Sequence, residues 1–205
     1  MISFEHKCIF VHIPKVAGTS IERVIWPGER RTENLWMGFV DKFHNKYQTG
    51  GLQHLLAKQI KLEVGNDIFE QFYKFSIVRN PWDKAVSQYT YMKKRPDLRE
   101  FCGMSDDSCF KSYLDLISQK QHVQWTKQTD FLLDDDGELL VNFIGRFEDL
   151  NDDVDRVFGH LGIEANLPHL NKGSREGYQR FYDSESKEIV ESLYSDDIAY
   201  LNYSF

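Results

Sequence analysis

The chain has 205 residues, 41% hydrophobic and 28% charged, which suits one soluble globular domain with a sizeable core. Its formal charge of −7 argues against a general nucleic-acid binder, which needs a basic balance, but leaves room for a small anion held by a few cations and amides. The apolar runs fall far short of the ~20 residues that cross a bilayer, and "MISFEHKCIF" enters a strand almost at once, without the pattern of a signal peptide. A single domain over 1–205 is expected, either cytoplasmic or cut as a catalytic domain from something longer. Cys8, Cys102 and Cys109 are an odd number of thiols and read as reduced, although Cys102 and Cys109 also lend themselves to pairing or to a metal site.

The first element is carried by "CIFVHIPKVAGTSIERVI". Residues 9–13 read as a buried strand, Pro14 breaks it, and residues 18–26 form a helix. Successive N–H groups from Val16 through Ala17, Gly18 and Thr19 to Ser20 can face one concavity, backed by about half a positive charge from the helix N-terminus. Gly18 would let the backbone approach a ligand, Thr19 and Ser20 add hydroxyl donors, and Lys15 can place an ammonium on a bridging or leaving oxygen. The same residues also fit an ordinary strand-to-helix turn with a surface lysine. A nucleotide-hydrolysing P-loop would place its lysine after a second glycine; here Lys15 precedes the only one, which suggests a shorter anion. No convincing acidic residue stands ready to hold Mg²⁺ beside Thr19.

Residues 27–50 lack a period and read as loop. Leu52, Leu55, Leu56, Ile60 and Val64 keep helical spacing, closed by Gly65, with His54 opposite that stripe. In "YKFSIVRNPWDKAVSQYTYM", residues 73–78 are a strand; Asn80 is a helix cap and Pro81 suits the first turn, which needs no N–H donor. Strand thus gives way to helix at Arg79, and Ser87 follows about two turns on, at roughly 3.6 residues per turn. Residues 96–128 are helical in part, with Phe110, Tyr113, Leu114 and Ile117 on one apolar face. "DFLLDDDGELLVNFIGRF" reads as two short strands around an Asp-Gly turn. Leu150, Val154, Val157, Phe158 and Leu161 mark an amphipathic helix ended by Gly162, and Ile189, Val190, Leu193, Tyr194 and Ile198 mark the last one. Strands separated by helices predict an α/β fold, a central, mainly parallel sheet flanked by helices in three P-loop-like layers. Ligands of such sheets bind beyond the carboxyl ends of the strands, where the turns at 14–19 and 79–82 should both lie.

"FVHIPKVAGTS" followed by "FSIVRNPWDKAVSQY" strongly resembles the sulfotransferases that use 3′-phosphoadenosine 5′-phosphosulfate (PAPS), closest to the carbohydrate branch that includes heparan sulfate 2-O-sulfotransferases. The resemblance continues through "NFIGRFEDL" and "LPHLNKGSREGYQRFY" and covers nearly the whole chain. It implies that Lys15 to Ser20 form the 5′-phosphosulfate site and that Arg79 and Ser87 form the 3′-phosphate site, where a guanidinium fork and a hydroxyl would meet one phosphate. Taken alone, Arg79 reads as a strand-end salt bridge and Ser87 as a helix-surface serine. Lys172, Gly173 and Ser174 match the family's late loop over the nucleotide only in part, because Asn171 stands where other branches carry arginine. Trp82 reads as a core tryptophan.

Sulfuryl transfer needs a stabilised leaving phosphate, an acceptor that loses its proton, and in-line oxygens. Lys15 and the loop amides answer the first. His54 is the candidate base, supported by the branch's histidine near this helix start with alanine three positions on, as Ala57 is here; a solvated helix histidine is the competing reading. His12 is read as structural, at the strand end. His44 stays open as a base, and His160 and His169 lie near no motif. No histidine–cysteine spacing suits a metal, so none is expected. The expected partners are a nucleotide donor and a hydroxyl acceptor, with a sugar, glycolipid or small molecule favoured over a sulfated polymer, because the only basic tracks are short ones such as Lys93-Lys94-Arg95. A small-molecule kinase, or a binding module that retains a nucleotide site without catalysis, are the alternatives.

Overall fold

The structure is a computed structural model that describes residues 1–28, 31–36, 51–165, 167 and 177–205. Its strands are β1 (Ile2–Ser3), β2 (Cys8–Val11), β3 (Tyr73–Val78) and β4 (Phe143–Arg146). The helices are α1 (Gly18–Ile25), α2 (Ala57–Val64), α3 (Asn66–Gln71), α4 (Pro81–Met92), α5 (Pro96–Cys102), α6 (Phe110–Ser118) and α7 (Gln128–Leu132). They continue with α8 (Leu150–Leu161), α9 (Ser184–Leu193) and α10 (Ser195–Tyr200).

The sheet order is β1-β2-β3-β4, with β1 antiparallel at one edge and the other three strands parallel. Phe10 pairs with Phe75, and Phe75 with Phe143, so the aromatic rows are in register across the sheet. Every residue of β2 is buried, and so is every residue of β3 except half-buried Tyr73. Burial at consecutive positions means that both faces are covered, as parallel strands require. The α/β fold with a mainly parallel sheet and flanking helices is therefore the one expected. One apolar cluster joins the sheet to α1, α2, α3 and α8; a second, rich in aromatics, sits among α4, α5, α6 and α9.

Several elements differ from their sequence reading, through a local cap or through contacts from far along the chain. The 52–64 stripe is interrupted: Leu52–His54 form a single 3₁₀ turn, Leu55 and Leu56 are extended, and α2 starts at Ala57. The Gln59 side chain accepts the Leu56 N–H at 2.9 Å and fixes that start. His54 is thus outside the helix that its spacing suggested. The start of "DFLLDDDGELLVNFIGRF", Asp130 to Leu132, is helical, not a strand, because the buried Asp197 carboxylate in α10 accepts the N–H groups of Gln128 and Thr129 at 2.8 and 2.9 Å. The Asp-Gly turn does form, with Gly137 at φ 85°, but it joins only the isolated bridge Leu133–Leu139. The last helix is two, parted at Tyr194, whose hydroxyl is held by the Trp125 carbonyl at 3.0 Å. Most of the predicted 27–50 loop lies outside the described residues.

Among the described residues no helix is long and apolar enough to cross a membrane. The three cysteines are free thiols: Cys8 and Cys102 are buried and Cys109 is exposed.

Candidate active site

Parallel pairing of β2 with β3 brings both strand-to-helix turns to one end of the sheet. They touch: Arg79 Nη1 donates to the Lys15 carbonyl at 3.0 Å. The first turn is strained. Lys15 has φ 72° and Ala17 has φ 67°, the left-handed region that costs a non-glycine residue roughly 1–2 kcal/mol each. The strain creates an open helix end. Ala17, the residue before α1, offers no side-chain cap, and the first turn carries no acid. Ser20 N–H turns back to the Ala17 carbonyl at 3.0 Å, so it is spent within the turn rather than added to the concavity. Among the described residues the amides of Val16, Ala17, Gly18 and Thr19 donate to no backbone acceptor outside the regular elements, and they precede the first donor that the helix itself satisfies. Thr19 is exposed and Ser20 buried. The half-buried Lys15 lays its ammonium over the Tyr91 ring, 4.2 Å from the centroid.

Gly18 meets a demand that its motif did not show. A Cβ there would lie 2.1 Å from His12 Nε2 and 2.2 Å from its Cδ2, so the missing side chain makes room for an imidazole. That ring is fixed on its other sides too. It stacks on Phe10 at 5.2 Å, its Nδ1 lies 2.7 Å from the buried Glu22 carboxylate of α1, and the His54 ring sits 4.6 Å away. His12 is structural, as expected, and it carries the candidate base with it.

His54 Nδ1 lies 2.9 Å from the His12 carbonyl oxygen. A carbonyl only accepts, so Nδ1 bears the proton and Nε2 keeps its lone pair. Burial, then the nearby His12 ring, hold the His54 pKa well below the ordinary 6.5, against the opposing effect of that hydrogen bond. The imidazole is therefore neutral at physiological pH, the form a general base needs.

In the second turn Asn80 caps α4 as predicted, its Oδ1 accepting the N–H groups of Trp82 at 3.0 Å and Asp83 at 3.4 Å, with Pro81 in the first turn. Arg79 is 1% exposed and held on all sides. Its Nε and Nη2 donate to Asp83 Oδ2 at 2.8 and 2.6 Å, and its guanidinium lies 4.0 Å from the centroid of the Phe147 ring. Gln128 grips its backbone from the far side, accepting the Arg79 N–H at 2.9 Å and donating to its carbonyl at 2.8 Å. Asp83, Ser87 and Tyr91 are spaced by four along α4 and so lie on one face, to which Arg79 is joined through Asp83. Lys15 over Tyr91 thus reaches the α4 face that carries half-buried Ser87.

The structure thus brings Lys15–Ser20, His54, Arg79 and Ser87 to one end of the sheet. Lys172, Gly173, Ser174, His44 and His169 lie outside the described residues. His160 is remote from this end, its ring against Tyr73 at the start of β3. Trp82 is a buried core residue, as expected. Sequence reasoning missed Asp83, Glu22, Phe147 and Gln128. The spacing of four from Arg79 would have found Asp83; nothing local points to Gln128, which is 49 positions away. Among the described residues no group of three or more His, Cys, Asp or Glu side chains is arranged to hold a metal ion.

Residues 1–204 match the model of the Sulfotransferase family, and the chain belongs to that family. It is also similar to an uncharacterised protein of Archaeoglobus fulgidus, 26% identical over 125 residues that span 60% of this chain and 97% of that one. No solved structure matches it.

Proposed function

We propose that this sulfotransferase takes its sulfuryl group from PAPS and that the two touching turns are the donor site. The observation that carries the reading is an uncapped helix end, with unspent amides and no acid, set against a buried arginine and the Ser87 face of α4. These residues suit a nucleotide with an anion at each end. Val16 to Thr19 would hold the 5′ group with their amides, Thr19 and Ser20 with their hydroxyls, and Arg79 with Ser87 the 3′-phosphate. Lys172, Gly173 and Ser174 would close over the nucleotide. The donor, when bound, supplies the sulfuryl group and leaves as adenosine 3′,5′-bisphosphate. Lys15 is assigned the negative charge that grows on the leaving oxygen. His54 Nε2 is assigned the acceptor's hydroxyl proton, which its tautomer and depressed pKa fit it to take.

The acceptor is read as a weakly charged hydroxyl compound: a sugar, a glycolipid or a small molecule, within the carbohydrate branch that includes heparan sulfate 2-O-sulfotransferases. The short basic track supports this, because three cations are few for a polyanion and one of them, Arg95, is already paired with Asp97 at 2.7 Å.

Calorimetry with adenosine 3′,5′-bisphosphate and 5′-AMP tests the donor site. A charged hydrogen bond contributes ~1.5–3 kcal/mol, so the bisphosphate should bind at least about tenfold tighter. Equal affinities would remove the reading, and tighter binding of ATP would point to a kinase-like site.

A further inference from the structure

The contact between the two turns assigns Arg79 a second task. We propose that Arg79 is a positioning residue for the Lys15 loop as well as a ligand of the 3′-phosphate: through its bond to the Lys15 carbonyl it holds that loop in its left-handed form, so one side chain sets both anion sites. The inference rests on the donor-site reading above and deepens it.

The geometry is one of over-determination. A lysine at φ 72° and an alanine at φ 67° persist only where their surroundings insist on it. The Lys15 carbonyl is pinned at 3.0 Å by Arg79 Nη1. A pin is useful only if it is itself fixed, and Arg79 is fixed from three directions. Gln128, fully buried, clamps its backbone through two hydrogen bonds; Asp83 takes Nε and Nη2; Phe147 covers a face of the guanidinium. Asp83 and Lys15 claim Nε and one N–H on each Nη, so each terminal nitrogen keeps one further hydrogen; at 1% exposure that hydrogen meets a phosphate only after the side chains around it move aside. The side chain therefore has donors enough for both tasks at once. Without it, the Lys15 peptide relaxes toward ordinary φ, and the helix end that follows loses the form set by the two left-handed residues.

The test uses a ligand that lacks the 3′-phosphate. If Arg79 touches only that phosphate, the affinity for 5′-AMP is indifferent to it; if Arg79 also shapes the loop, the affinity for 5′-AMP falls. Arg79→Ala removes the buried cation beside Asp83, so Arg79→Lys is the variant to read if the alanine protein does not fold. Lysine keeps the charge beside Asp83 but lacks the fork that reaches Asp83 and Lys15 together. Isothermal titration of each folded variant should show 5′-AMP weakened at least about fivefold and the bisphosphate weakened further, with a lower kcat at saturating donor. Unchanged 5′-AMP affinity with weakened bisphosphate overturns this inference and leaves the donor site standing. A wild-type protein that does not prefer the bisphosphate overturns both.

Discussion

His54 shows how a single backbone oxygen can select the chemistry of a side chain. The His12 carbonyl takes the Nδ1 proton, and burial keeps the ring from gaining a second one. A histidine whose pKa lies below 6.5 stays a base at lower pH than a free one does. Turnover should therefore be level from about pH 8 to 6.5 and decline only below that. A decline that begins above 6.5 would give the base role to another group. His54→Ala should lose about 10²–10⁴-fold in turnover, and His54→Gln nearly as much, while both keep bisphosphate affinity. Loss of affinity together with turnover would make His54 a support of the loop instead. Gly18 depends on the same ring. In Gly18→Ala the new Cβ would meet His12 at 2.1 Å, and that imidazole has Phe10, Glu22 and His54 on its other sides. Overpacking of this kind costs roughly 1–3 kcal/mol. The variant should melt several degrees lower and lose turnover as His54 is displaced, measured by thermal unfolding and by assay of the surviving fold. Normal melting would mean that the loop accommodates a side chain after all.

At the scale of elements, the β3–α4 junction was the most legible part of the chain. Tyr73–Val78 is the strand expected, and Asn80 and Pro81 do what their local chemistry dictates. Asn80→Ala removes the cap from Trp82 and Asp83 and also the bond from Asn80 Nδ2 to the Ser204 carbonyl at 2.8 Å. A cost of about 1–2 kcal/mol is expected, read as a fall in thermal midpoint of about 2–8 °C. Bisphosphate affinity should drop less than about tenfold, because Gln128 still clamps Arg79 from the other side. A larger drop would mean that the cap, not Gln128, orients Arg79. The less legible parts share one physical cause. Periodicity saw the apolar stripe from Leu52 to Val64 but not the extended Leu55 and Leu56, and so it placed His54 on a helix face. The Asp130–Leu132 segment looked like a strand because its helix is started just ahead of it, at the Gln128 and Thr129 N–H groups, by Asp197, far along the chain. In the first turn the motif named candidate residues but not their geometry. Gly18 answers to a histidine six positions earlier, and Arg79 answers to the carbonyl of Lys15. Local windows register propensity and pattern; these contacts are decided only when turns, strands and distant helices pack together.

At the scale of the whole molecule, acid stability depends on histidines that the fold keeps neutral. His122 is 3% exposed, between the Phe101 and Trp125 rings, with Nδ1 accepting the Gln124 N–H at 3.1 Å. Burial, aided by Arg95 and opposed by Asp97, lowers its pKa to about 4. The unfolded chain protonates the same ring near pH 6.5. The unfolded state therefore binds more protons between about pH 6.5 and 4, and stability falls as pH falls through that window. The slope is about 1.4 kcal/mol per pH unit for each such histidine, so His122 alone should remove on the order of 2 kcal/mol between pH 6.5 and 5. His54 acts in the same direction. His122→Asn separates titration from packing. Asparagine keeps an acceptor for the Gln124 N–H but carries no titrating ring. It should be less stable than wild type at pH 7, where lost contact with Phe101 and Trp125 dominates, yet lose less stability on acidification. Urea unfolding of both proteins at pH 7 and pH 5 decides the matter. If the two lose equal stability between those pH values, His122 is not a source of the acid sensitivity, and the neutral imidazole is only a filler of the aromatic core.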